Sequence, residues 1–142
     1  MIRVEKSVII KKPVKEVFAY THKIDDLPKW ANMSVQMLKG PENAVGSRFL
    51  SSHKFLGKEM KMTMEITAFK ENEKWAAKTV DGPVQSQMTM TFEEVPEGTK
   101  FTMINEGETK GFFKLAEGVV ASSMEKSFEE SINSLKSLME DG

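Results

Sequence analysis

Between residues 34 and about 110, apolar and polar residues alternate with a period of two, as expected of strands with one buried face. Along 59–69, Met60, Met62, Met64, Ile66 and Ala68 fall on one face, and Glu59, Lys61, Thr63, Glu65 and Thr67 on the other. Along 84–92, Val84, Ser86, Met88, Met90 and Phe92 oppose Gln85, Gln87, Thr89 and Thr91. Phe101, Met103 and Asn105 share a face along 99–107. Turn-forming sequence at Gly40-Pro41-Glu42-Asn43, Leu56-Gly57-Lys58, Glu71-Asn72-Glu73, Asp81-Gly82-Pro83 and Pro96-Glu97-Gly98 divides the stretch into six strands. Connections this short join antiparallel neighbours, because a parallel pair needs a long crossover. A first strand over Val4–Ile10 brings the total to seven.

The period changes on either side of this stretch. After Pro13, a residue suited to a helix start, Val14, Val17, Phe18 and Thr21 recur at helical spacing. Asp25-Asp26-Leu27-Pro28-Lys29-Trp30 reads as a second short helix or tight turn carrying one large aromatic. At the other end, Ala116, Val120, Met124, Phe128, Ile132, Leu135 and Met139 step by three or four and form an apolar stripe. Charged Glu125, Lys126, Glu129, Glu130, Lys136 and Glu140 fall mostly off it. A helix over 112–140 would be about 43 Å long. Gly118 costs it about 1 kcal/mol against Ala unless something needs a glycine there. Phe112, Phe113, Leu115, Val119 and Val120 widen the stripe near its start, which marks that end for a binding surface. The pattern predicts one α+β domain over 1–142, a curved seven-stranded antiparallel sheet whose apolar face is covered by one long C-terminal helix.

Composition narrows the partners. Lys and Arg number 20 against 21 Asp and Glu, so no basic field is available to hold nucleic acid. The absence of cysteine excludes disulfides, thiolate metal sites and a cysteine nucleophile. No stretch approaches the length of a membrane span, and the charged N-terminus does not read as a signal peptide, so a cytoplasmic location is expected, without stable membrane insertion. The 11 methionines are an unusually high number. Methionine is flexible and polarizable and recurs on surfaces that adapt to varied ligands, although it also fills irregular gaps in ordinary cores.

Several short segments resemble a known family. They are Ile10-Lys11-Lys12-Pro13-Val14-Lys15-Glu16-Val17-Phe18, Asp26-Leu27-Pro28-Lys29-Trp30, Val45-Gly46-Ser47-Arg48-Phe49, Glu97-Gly98-Thr99-Lys100-Phe101-Thr102 and Ser134-Leu135-Lys136-Ser137-Leu138-Met139-Glu140. In their order and spacing they resemble the START-like, or Bet v 1-like, helix-grip superfamily (SRPBCC), and within it the polyketide cyclase/dehydrase branch. The resemblance implies two short helices after the first strand and a cavity between sheet and C-terminal helix. It also implies a small apolar or amphipathic ligand, lipid or polyketide-like. Relatives of this kind include binding proteins, enzymes of cyclisation and dehydration, and co-chaperone domains, so fold analogy does not by itself select an activity.

The candidate ligand-binding residues are those on the apolar phases: Phe49, Ser51 and His53 on one strand, Met60, Met62 and Met64 on the next, then Ser86, Met88, Met90, Met103 and Asn105. Trp30 at the expected pocket rim and Phe113, Val120 and Met124 on the helix complete the set. Of these, Asn105, Ser51 and Ser86 are polar groups that must find partners inside the protein, on a ligand or in water. His53 is the one histidine placed to act as a base or polar anchor, whereas His22, at a helix end, reads as a cap favoured by the helix dipole. Glu106 and Glu108 fall on the outer face and Arg48 on the solvated phase. No metal-ligand spacing, phosphate loop or nucleophile elbow is present, so no catalytic residue, metal or cofactor is assigned. The function expected is capture of a small apolar molecule, the alternatives being a cyclase/dehydrase-like enzyme using His53 and a co-chaperone-like interaction domain.

Overall fold

The computed structural model describes residues 2–55, 57–82, 84–108 and 117–141, except for the side chain of Phe55. Strand β1 (Ile2–Ile10) leads into helix α1 (Val14–Thr21), a single 3-10 turn (Ile24–Asp26) and the short helix α2 (Leu27–Trp30). Strands β2 (Met33–Lys39), β3 (Arg48–Phe55), β4 (Lys58–Lys70), β5 (Lys74–Asp81), β6 (Gln85–Val95) and β7 (Gly98–Glu108) follow, and then helix α3 (Glu117–Asp141). The strands form one antiparallel sheet in the order β1-β7-β6-β5-β4-β3-β2. Only β1 is out of sequence order. It pairs with β7, which leaves β1 and β2 as the two edges.

Local chemistry explains the breaks. Pro13 precedes α1, and its carbonyl accepts the first helical bonds, from the backbone N–H groups of Glu16 and Val17. Pro28 lies in the first turn of α2, where its missing N–H is no loss. Asn32 (φ 54°) turns the chain out of α2 into β2, and Asn72 (φ 63°) makes the β4–β5 turn; asparagine tolerates such a conformation better than most residues. Gly98 (φ 143°) opens β7 directly beneath the end of β1, where a Cβ would sit 2.9 Å from the Lys12 nitrogen and against the Ile10 carbonyl.

Cross-strand register places residues from successive strands side by side on the inner face. One such row runs Met33–His53–Met60, the next Val35–Ser51–Met62, and the next Met37–Phe49–Met64–Thr79. Further along the sheet come Ile66–Ala77–Met88–Asn105–Val4 and Trp75–Met90–Met103–Lys6. The expected inner face of β4 holds only as far as Ile66. A β-bulge there pairs Ile66 with Ala77 but Ala68 with Ala76, so Thr67 is the extra residue and the phase reverses. Phe69, not Ala68, then points inward, with its ring 5.6 Å from that of Phe18.

Helix α3 packs along β1 and against α2. Val120, Phe128, Ile132 and Leu135 form its buried stripe, as the spacing predicts. Its far end is fastened to the end of β1: the Lys136 Nζ donates to the Ile9 carbonyl (2.6 Å) and to Glu140 Oε2 (2.8 Å), which also accepts from the Lys11 backbone N–H (2.9 Å). Those bonds, the Lys136 bond first, hold the Glu140 carboxyl below the ordinary carboxylate range. Ile10, Val17, Phe18, Trp30, Phe92, Phe101, Ile132 and Leu135 belong to one buried cluster; Phe49, Met64, Ile66 and Ala77 form a second.

Among the described residues, Gly118 has no neighbour within 4 Å of where a Cβ would lie, so none of them requires a glycine there. Gly118→Ala should therefore stabilise the protein by about 0.5–1 kcal/mol in urea denaturation. A loss of stability would show that the position is constrained after all.

Candidate functional site

The two buried clusters contribute walls to the same cavity, which has a volume of about 750 Å³ between the inner face of the sheet and α3. Nine methionines line it: Met33, Met37, Met60, Met62, Met64, Met88, Met90, Met103 and Met124. Phe49, Ile66 and Trp75 add flat or branched apolar wall, the Phe49 and Trp75 rings lying 5.9 Å apart. From α3, Val120, Met124 and Phe128 close the opposite side. Near α1 and α2 the space ends on aromatic packing, with Phe18 against Phe92 at 5.0 Å and Trp30 edge-on to Phe101 at 6.0 Å. Glu42, Lys54, Lys126 and Glu130 also line the cavity and are exposed, which marks where it opens to solvent.

Trp30, Phe49, Ser51, His53, Met60, Met62, Met64, Ser86, Met88, Met90, Met103, Asn105, Val120 and Met124 all line this one cavity. Phe113 lies outside the described residues. Glu106, Glu108 and Arg48 are exposed, and Arg48 pairs with Glu65 at 3.1 Å. The sequence pattern did not single out Met33, Val35 and Met37 of β2, although they alternate cleanly, nor Trp75. It also missed Ser123, Ser127 and Ser131, which step by four along α3 beside the apolar stripe and line the cavity.

The polar groups on the wall differ in how they are satisfied. The Ser51 hydroxyl donates to the Met62 carbonyl at 3.4 Å. Ser86 and Thr79 share a hydroxyl–hydroxyl bond of 3.2 Å, and the Ser86 backbone N–H donates to the Thr79 oxygen at 3.2 Å. Both serines are thus held within the protein. By contrast, Asn105 Oδ1, Trp30 Nε1 and His22 Nε2 are buried without a hydrogen-bond partner among the described residues.

His22 is more than a helix cap. Its ring stacks on Phe18 at 4.2 Å and meets Phe69 and Trp75 edge-on. Its Nδ1 lies 2.8 Å from the Phe18 carbonyl, which can only accept, so Nδ1 carries the proton and Nε2 holds a lone pair. Burial lowers its pKa, outweighing the Phe18 bond and the nearby Glu42. It caps as a neutral donor, so the expected favour from the helix dipole gives way to desolvation. Burial likewise lowers the pKa of His53, which lines the cavity as a neutral imidazole.

The chain belongs to the family described as polyketide cyclase / dehydrase and lipid transport, whose model matches residues 1–140. No curated protein matches the sequence. Among solved structures, the Zhui aromatase/cyclase of a Streptomyces species is similar at 12% identity and a TM-score of 0.82, covering 97% of this chain and 93% of that one. A START superfamily protein from Mycobacterium smegmatis is similar at 12% identity and a TM-score of 0.81, over 98% and 97% of the two chains. A Thermus thermophilus protein is similar at 17% identity and 0.81, over 94% of each. At these identities the likeness extends to the helix-grip fold and no further.

The two depressed histidines make stability pH-dependent. Folded, burial makes each harder to protonate; unfolded, each takes up a proton near its ordinary pKa of about 6.5. Below that pH the unfolded chain binds more protons, so stability falls as pH drops from 7.5 to 5.5. The urea midpoint should be lower at pH 5.5, and His22→Gln should shrink the difference. An equal or higher midpoint at pH 5.5 would contradict the assignment of both rings as neutral.

Proposed function

We propose that the chain binds one small apolar or amphipathic molecule, lipid or polyketide-like, in the cavity between the sheet and α3. The observation that carries this reading is the cavity itself: about 750 Å³, walled by nine methionines and opening past four charged residues. That volume falls within the range of about 300–1,000 Å³ typical of small-molecule sites, and a mostly apolar wall with a few polar groups is their usual make-up. Methionine thioethers rearrange at little cost, which suits a guest of loosely defined shape. The family description, which includes lipid transport, supports the same reading.

One observation favours a second reading, an enzyme of the cyclase/dehydrase kind. His53 is neutral on the cavity wall, in register with Met33 and Met60, and a neutral imidazole can take a proton from a bound substrate. The Streptomyces structure of the same fold is that of an aromatase/cyclase. His53→Ala separates the readings. It leaves affinity nearly unchanged if His53 is only wall, and it abolishes turnover of a bound polyketide while sparing binding if His53 is the base.

The binding reading is tested by filling the space. Met88 lies mid-wall, between Ala77 and Asn105 in register, so Met88→Trp places an indole where a guest would lie. Isothermal titration with 1-methylnaphthalene should show micromolar binding to the wild type and a loss of about tenfold or more in the variant, a change of about 1.4 kcal/mol. Equal affinity in both proteins would place the binding elsewhere.

A further inference from the structure

We infer that Asn105 selects a guest carrying a hydroxyl group on its apolar body, at a position lying deep in the cavity and not at its mouth. This rests on the binding reading above and adds the chemistry of the guest. Asn105 is 7% exposed, lies on the second strand from the β1 edge and lines the cavity, and its Oδ1 has no hydrogen-bond partner among the described residues. Its register partners do not relieve it: Val4 has no polar side-chain group, and Met88 offers a thioether that accepts only weakly. The hydroxyls of the sheet wall differ in this respect. Ser51 donates to a backbone carbonyl, and Ser86 and Thr79 bond to each other.

A buried amide oxygen left unpaired destabilises the empty protein, and a leucine of similar shape would remove that cost. Asparagine at this position is therefore explained by the occupied state, in which a guest completes its bonding. The amide offers an acceptor and a donor that exchange places on a 180° turn of the group. A hydroxyl, which both donates and accepts, satisfies either orientation, whereas a bare hydrocarbon satisfies neither. Asn105 shares its row with Ile66, Ala77, Met88 and Val4, and the exposed charges at the opening belong to other segments. The polar group it meets is thus surrounded by apolar wall, which is the arrangement of a phenol or an alcohol within a larger apolar body.

The test uses two probes of nearly equal shape, 1-naphthol and 1-methylnaphthalene, titrated into the wild type and Asn105→Leu. The wild type is expected to bind 1-naphthol about tenfold more tightly after correction for the probes' different transfer from water, and Asn105→Leu to erase that difference. Asn105→Leu is also expected to raise the thermal midpoint of the empty protein by about 3 °C. Equal corrected affinities in the wild type, a preference that survives in Asn105→Leu, or a lowered midpoint in that variant would each overturn the inference and leave the binding reading standing. Failure of both probes to bind the wild type would instead overturn the binding reading. Should Asn105→Leu not fold, Asn105→Ala, which only removes the amide, carries the same ratio test.

Discussion

One helix cannot cover seven strands. At about 4.8 Å between neighbours, the sheet is about 29 Å across, whereas a helix with its side chains is about 10–12 Å wide. Helix α3 packs along β1, at one edge of the sheet, and α1 and α2 close one end with Phe18 and Trp30. The inner face of β2 to β5 is left with apolar side chains and, among the described residues, no complete layer above them. Curvature brings that face round towards the helix, and the Ile66–Ala68 bulge is one place where the long β4 strand bends. What remains between the two walls is the cavity.

A void of that size is expensive if its walls are rigid, because each lining group loses its packing partners. Methionine lessens the cost, since an unbranched side chain can swing into empty space and withdraw when a guest arrives. The methionines are concentrated on this wall: nine of the 11 line the cavity, while Met139 packs against the main cluster elsewhere. The hydroxyls follow the same division. Those of Ser51, Thr79 and Ser86 are bonded to one another or to the backbone, whereas Asn105 Oδ1 on β7 has no partner among the described residues.

Much of this could be read from the order of residues. The strand phases of β6 and β7 were legible because a period of two runs through them unbroken, and the α3 stripe because Val120, Phe128, Ile132 and Leu135 keep helical spacing. The phase reversal in β4 was not legible, since Thr67, the extra residue of the bulge, is an ordinary strand residue and only its pairing marks it. Trp75 was missed because β5 carries two small residues in succession, Ala76 and Ala77, both buried, which blurs the alternation. Ser123, Ser127 and Ser131 look like a solvated helix face until the cavity is seen beside them. His22 was read by its place at a helix end, and only the three-dimensional packing of Phe18, Phe69 and Trp75 around it reveals the desolvation that governs its charge.

The central claim, that the uncovered methionine wall is completed by a guest, is tested most directly by NMR of the methionine methyl groups in ¹³C-methyl-labelled protein titrated with 1-methylnaphthalene. Ring-current shifts are expected only at the cavity methionines, strongest for Met62, Met64, Met88 and Met103, with Met139 unmoved. Spectra that do not change at saturating probe, or shifts as large at Met139 as on the cavity wall, would contradict it.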